Sequence, residues 1–165
     1  MFIVFISFLW KLTTTHNKII TLQKRAIRII NKKTYRYHTE PLFKQKKILM
    51  VNDLYQQQIW LFMHNFKYAK LPRSFDNYFK LTRSVTNRET RQSNLVYTDR
   101  PRTELSARLP NHSFPHIWNN LNIMNTEISN TINRNSFKNQ CKSHLFRNYS
   151  ERMICNNEFC RQCHM

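Results

Sequence analysis

The sequence predicts a mainly α-helical fold, an irregular helical bundle with a minor β component. Three observations carry that reading. Ile19, Ile20, Leu22, Ala26, Ile27, Ile29 and Ile30 recur at helical spacing and cover about half the wheel over residues 17–31. Residues 53–68 hold Leu54, Tyr55, Ile59, Trp60, Leu61, Phe62, Met63, Phe66 and Tyr68 on nearly every side, the pattern of a central buried helix. Runs of β-branched and aromatic residues are confined to residues 1–10 and to Leu95-Val96-Tyr97, which predict an N-terminal strand and a short strand near Leu95.

Taken in order, the chain opens with Met-Phe-Ile-Val-Phe-Ile-Ser-Phe-Leu-Trp. Ten residues are about half of what a helix needs to cross a bilayer, and a signal peptide needs a positive leader and a small-residue cleavage site that this run lacks. A strand without an evident neighbour over residues 1–12 is the expectation, with no membrane partner. The helix over residues 17–31 carries Lys18, Lys24, Arg25, Arg28 and Lys32 opposite its apolar half. Thr39-Glu40-Pro41 is a helix start, with a Thr cap, an acid, and a Pro where its missing N–H costs nothing. The short helix after it holds Leu42 and Phe43, then Lys44, Lys46 and Lys47. Asn52 or Asp53 is expected to cap the central helix, which Leu71-Pro72 closes.

Periodicity fails over residues 80–108, where Arg83, Arg88, Arg91, Arg100, Arg102 and Arg108 are interleaved with Ser, Thr, Asn and Gln. Pro110 and Pro115 are read as framing a turn before Ile117-Trp118, and an Asn-rich connector follows. The last helix is placed near Ser136 to Tyr149, with Phe137, Cys141 and Leu145 on one face. At 165 residues the chain suits one domain, residues 13–150, flanked by the N-terminal strand and a cysteine tail over residues 151–165.

Composition excludes several chemistries. There is no glycine, where an average chain of this length holds roughly a dozen. Gly-dependent phosphate loops, dinucleotide fingerprints and the strained Ser elbow of hydrolases are therefore absent from the sequence. The three Asp residues, Asp53, Asp76 and Asp99, are not adjacent, which argues against a two-metal nuclease or polymerase centre. Lys plus Arg is 27 against 9 Asp plus Glu, a net charge of +18 that suits a polyanionic partner. The bias toward Asn, Lys, Ile, Phe and Tyr also matches AT-rich codon usage, an alternative source for part of that charge.

Phosphate-contact candidates are Lys24, Arg25, Arg28 and Lys32 on one helix face, together with Arg91, Arg100 and Arg102 in the irregular stretch. They would position a nucleic-acid backbone without reading its sequence. Cys155, Cys160 and Cys163 give C-x4-C-x2-C with His164 after it. Two readings stay open for this tail: reduced thiols, or a zinc site that draws its fourth ligand from Cys141 or His144. No cofactor is expected.

Several segments occur in an order that resembles a known family. They are Leu22 to Ile30, His38-Thr39-Glu40-Pro41-Leu42-Phe43, Ile48-Leu49, Asp53-Leu54-Tyr55, Phe62-Met63, Leu71-Pro72 with Phe75 and Phe79, and Thr90-Arg91 with Leu95. Arg102-Thr103, Trp118-Asn119-Asn120-Leu121 and Ser136-Phe137-Lys138 complete the series. Over roughly residues 4–150 the chain resembles the region beyond the polymerase core in LINE-type, jockey-like non-LTR retrotransposon reverse transcriptases. It departs from that pattern at Phe114-Pro115, at Asn122, and at Lys11, where the family usually has Gly-Pro, Pro and Gly.

The resemblance implies a C-terminal helical fragment of an RNA-directed DNA polymerase that holds template and primer. The paired catalytic aspartates would lie in an upstream polymerase domain, so no enzymatic activity is expected of this chain alone. RNA or DNA would be its partner, in an intracellular nuclear or cytoplasmic ribonucleoprotein rather than a secreted protein. Two other classes remain open: a freestanding basic DNA- or RNA-binding protein with a zinc tail, and a membrane-surface protein anchored by residues 1–10.

Overall fold

The computed structural model describes residues 15–86, 89 and 92–152. The N-terminal strand expected over residues 1–12 and the cysteine tail from residue 153 onward lie outside them. Among the described residues the chain forms α1 (Thr15–Ile30), α2 (Glu40–Gln45), α3 (Val51–Lys67), α4 (Thr82–Thr86), α5 (Glu104–Ala107), α6 (Pro110–Met124), α7 (Thr126–Ser129) and α8 (Arg134–Arg152). The fold is mainly α, as its periodicities require.

Helix α3 is the axis of the molecule. It buries Ile59, Trp60, Leu61, Phe62 and Met63 in one unbroken run, which a helix can do only when neighbours cover more than one of its sides. Those neighbours are α6 and α8. Helix α8 presents Phe137, Cys141, Leu145 and Tyr149 at four-residue steps, all essentially fully buried. Helix α6 presents Phe114, Trp118 and Leu121. Phe62 meets Phe114 and Phe75 edge-to-face at centroid distances of 5.6 and 5.5 Å, a geometry that aligns positive ring edges with negative faces. The Trp60 indole N–H donates to the Ile117 carbonyl at 3.3 Å, so burying that ring leaves no orphaned donor.

Three sequence expectations need correction. The segment read as a turn framed by Pro110 and Pro115 is the N-terminal part of α6. Pro110 sits in the first turn, where proline is tolerated, but Pro115 lies inside the helix and removes one backbone hydrogen bond. Burial of Pro115 among the core residues holds the helix together there. Asn52 and Asp53 do not cap α3; Met50 occupies that position. Asp53 instead lies in the first turn, buried, and accepts a hydrogen bond from the Tyr149 hydroxyl. Near Leu95 no strand forms, only a single antiparallel bridge between Leu81 and Val96.

The other edge of Val96 is satisfied by a side chain. Asn119 Oδ1 accepts from the Val96 N–H at 3.0 Å, and Asn119 Nδ2 donates to the Val96 carbonyl at 2.7 Å. One carboxamide thus stands in for a neighbouring strand and fastens the irregular stretch to α6. Asn119→Leu removes both bonds and orphans two buried backbone groups, at a cost of about 2 kcal/mol in urea unfolding. The exposed neighbour supplies the control: Asn120→Leu stays within about 0.5 kcal/mol of the parent.

The absence of glycine is felt at helix ends. α1, α2 and α3 each finish in a Schellman motif, in which the chain turns through a left-handed residue so that two carbonyls of the last turn are satisfied. The left-handed residues are Lys32 (φ 51°), Lys47 (φ 53°) and Ala69 (φ 51°). The paired bonds are Lys33 N–H to Arg28 at 2.9 Å with Lys32 N–H to Ile29 at 3.0 Å, and Ile48 to Phe43 at 3.0 Å with Lys47 to Lys44 at 3.1 Å. The third pair is Lys70 to Asn65 at 2.8 Å with Ala69 to Phe66 at 3.0 Å. Each site has the geometry that favours glycine and carries a residue with a Cβ.

His64 is fully buried on α3, stacked on Phe137 at 4.3 Å, with Nε2 2.8 Å from the Thr131 carbonyl. A carbonyl only accepts, so Nε2 carries the proton. Burial holds its pKa below the ordinary histidine value, Lys70 and Lys67 add to the depression, and the Thr131 carbonyl and the Asn65 side chain oppose it. The unfolded chain therefore binds a proton at this residue before the folded chain does. The contribution of His64 to stability is complete above about pH 6.5 and is lost as pH falls toward its depressed folded value, with a slope of at most about 1.4 kcal/mol per pH unit. Comparing urea unfolding at pH 7.5 and 5.5, the parent loses more stability than His64→Gln.

Candidate nucleic-acid interface

The cations cluster where acids are scarce. Residues 15–50, which form α1, α2 and their connections, carry ten Lys and Arg against Glu40 alone. On a helix, positions 24, 25, 28 and 32 fall on one stripe, because steps of three, four and seven residues return to the same side. The structure places Lys24, Arg25 and Arg28 along α1 and Lys32 in the turn that ends it. Arg25 and Lys32 are exposed, and Lys24 is half-buried. None of Lys24, Arg25, Lys32, Arg100 and Arg102 forms an ion pair among the described residues.

Arg28 plays a different part from its neighbours. Its Nε donates to the Tyr37 carbonyl at 2.8 Å, and its guanidinium carbon lies 5.6 Å from the centre of the Tyr35 ring. It therefore ties the loop after α1 back onto the helix, in addition to carrying charge. Lys33 Nζ lies 5.0 Å from the Tyr37 ring centre. Sequence reasoning did not single out Tyr35 and Tyr37, although Lys32-Lys33-Thr34-Tyr35-Arg36-Tyr37 interleaves cations with aromatics in plain sight.

The face of α1 opposite the cations is not the buried half-wheel that its periodicity suggested. Of its seven apolar residues only Ile27 is buried, while Leu22, Ile29 and Ile30 are exposed, Ile29 at 69%. The described contacts of α1 with other helices run to α2 and α3, along one edge of the helix. Gln23 fixes that edge: Nε2 donates to the Leu49 carbonyl and Oε1 accepts from the Val51 N–H, each at 3.0 Å.

Arg100 and Arg102 are exposed in the irregular stretch before α5. Arg100 lines a shallow depression with Asp99, His112, Ser113 and His116, so it belongs to the surroundings of α6. The structure thus places Lys24, Arg25 and Arg28 on α1 and Lys32 in the turn directly after it, and leaves Arg100 and Arg102 on another element; Arg91 lies outside the described residues. A second, larger cleft of about 810 Å³ lies between Met63, Phe66, Trp118 and Val96. Its cation, Lys67, is committed to the Ser129 carbonyl at 3.0 Å and Asn130 Oδ1 at 2.8 Å, and partial burial lowers its pKa.

No described group of three or more His, Cys, Asp or Glu side chains could hold a metal ion. Cys155, Cys160 and Cys163 are outside the described residues. Cys141, one of the residues proposed to complete a zinc set with them, is fully buried in the core, and burial pushes its thiol up to about 12. With its sulfur fully enclosed, Cys141 is out of reach of the tail while α8 is packed. His144 Nδ1 lies 3.3 Å from Asn125 Nδ2 and 3.0 Å from an Arg147 guanidinium nitrogen.

No helix among the described residues is long and apolar enough to cross a membrane. No protein-family model, curated protein or solved structure matches the chain.

Proposed function

We propose that the chain is a helical nucleic-acid-binding region corresponding to the part of a LINE-type reverse transcriptase beyond the polymerase core, and that it grips phosphate backbone while an upstream domain carries out synthesis. The observation that carries this reading is the row of cations on α1 and its terminal turn, set in a segment with ten basic residues and one acid. Such a row is electrostatically costly unless counterions or phosphates accompany it.

Several of the segments that carry the resemblance contribute positions to the core. Ile27, Leu42, Phe43, Leu49, Asp53, Phe62, Met63, Phe79, Trp118, Leu121 and Phe137 are all buried, and Gln23 and Asn119 fasten backbone segments. Other members of the series, Leu22, Ile29, Ile30, Ile48 and Leu54, are exposed, so it spans both scaffold and surface.

The test is fluorescence anisotropy of labelled RNA and DNA with the purified chain across a salt series. Log affinity is expected to fall linearly with log salt, by about 0.7 per contacted phosphate on single strands and about 0.9 on duplex. Failure to bind either polymer at about 50 mM salt overturns the proposal. Metal-dependent primer extension by the chain alone would overturn the division of labour.

A further inference from the structure

We propose that the turn from Lys32 to His38 is a stacking platform for single-stranded nucleic acid, with Tyr35 and Tyr37 taking bases and Arg25, Lys32, Lys33 and Arg36 taking the adjoining phosphates. The inference rests on the backbone-binding reading above and adds to it the form of the polymer that is bound.

Exposure is the first ground. Tyr35 is 71% exposed and Tyr37 38%, beside the exposed Ile29 and Ile30 at the end of α1. Single exposed apolar residues are ordinary on a protein surface. Two exposed rings two residues apart, in a stretch whose other members include Lys32, Lys33 and Arg36, are a denser arrangement.

Rigidity is the second ground. The Schellman motif fixes the exit from α1 at Lys32 and Lys33. The Tyr37 N–H donates to the Thr34 carbonyl at 3.1 Å, closing a turn around Tyr35. Arg28 holds the far end through its bond to the Tyr37 carbonyl. A loop anchored at both ends and in its middle presents its rings with little ordering left to be done on binding.

Chemistry selects the occupant. Base faces are the natural partners of exposed tyrosine rings, and every base has one, so stacking is tolerant of sequence. In a duplex those faces are covered by neighbouring pairs, and only edges and backbone remain. A single strand therefore uses the rings and the cations together, whereas a duplex uses the cations alone. Arg28 lies over one face of the Tyr35 ring and Lys33 over one face of the Tyr37 ring, so a base stacks on the opposite face of each, on a ring already backed by a positive charge.

The experiment uses the full chain with labelled oligo(U), oligo(dT) and a mixed-sequence RNA duplex of equal length. Tyr35→Ala with Tyr37→Ala is expected to weaken binding of both single strands by at least about tenfold. Duplex affinity is expected to stay within about twofold, and the salt slope on every probe to remain that of the parent. Tyr35→Phe with Tyr37→Phe keeps parental affinity, because the ring and not the hydroxyl stacks. Parental binding of single strands by the double alanine variant, equal losses on single strand and duplex, or a loss in the phenylalanine variant as large as in the alanine one would each overturn the platform. In those cases salt-dependent binding by the parent chain leaves the backbone reading standing. A parent chain that binds no probe removes both.

Discussion

The chain carrying Lys32→Gly, Lys47→Gly and Ala69→Gly together is more stable than the parent by about 3 kcal/mol. A residue with a Cβ loses about 1–2 kcal/mol in the left-handed conformation. Glycine escapes that loss but raises the conformational entropy of the unfolded chain, which returns about 0.5–1 kcal/mol to the unfolded side. The net gain is about 1 kcal/mol per site. The three motifs close on separate carbonyls of separate helices, so their effects add. For a chain of this size the combined change raises the unfolding midpoint by about 6–10 °C. Calorimetry or urea unfolding measures it, and a triple variant no more stable than the parent would show that the turns are relaxed with their present residues.

The largest effect on binding is expected from Lys24→Gln, Arg25→Gln and Lys32→Gln combined. Three charges leave α1 and its terminal turn without disturbing a described ion pair or the core. If each meets a phosphate, the salt slope on single strands flattens by about 2, or about 0.7 for each phosphate no longer neutralised. At about 50 mM salt that corresponds to a loss of one to two orders of magnitude in affinity, which shrinks as salt rises. Glutamine substitutions at Arg100 and Arg102, on a separate element, provide the comparison. An unchanged slope in the α1 variant would move the contact surface elsewhere.

How much of this was legible in the sequence depends on the range of the interactions involved. Helices α3 and α8 were readable because their apolar residues are dense or regular enough to dominate local preference: Ile59 to Met63 in one case, Phe137, Cys141 and Leu145 in the other. Helix α6 was hidden by two prolines and a cluster of Asn, although Phe114, Trp118 and Leu121 already stand at helical spacing. For α1 the period identified the helix and its two sides, but amphipathicity does not reveal whether a neighbour arrives to cover the apolar one. The bridge at Val96 joins it to Leu81, 15 residues away, the clasp by Asn119 joins positions 23 residues apart, and neither leaves a local trace. At the candidate interface, the charges of Lys24, Arg25 and Lys32 could be read directly, because like-signed residues close in sequence need no tertiary knowledge. The anchoring role of Arg28 and the exposure of Tyr35 could not, since both depend on where the loop after α1 turns.

The short strap Leu49–Val51 is gripped from both ends of the chain. Gln23 holds Leu49 and Val51, while the Tyr149 hydroxyl accepts from the Met50 N–H at 2.9 Å across 99 residues and donates to Asp53. During synthesis this latch stays open until α8 has emerged, since its final member sits in the last turns of that helix. The cationic arm thus acquires its definitive attachment late, and nascent chains that stop short of Tyr149 would carry that arm without the hydroxyl that pins its root.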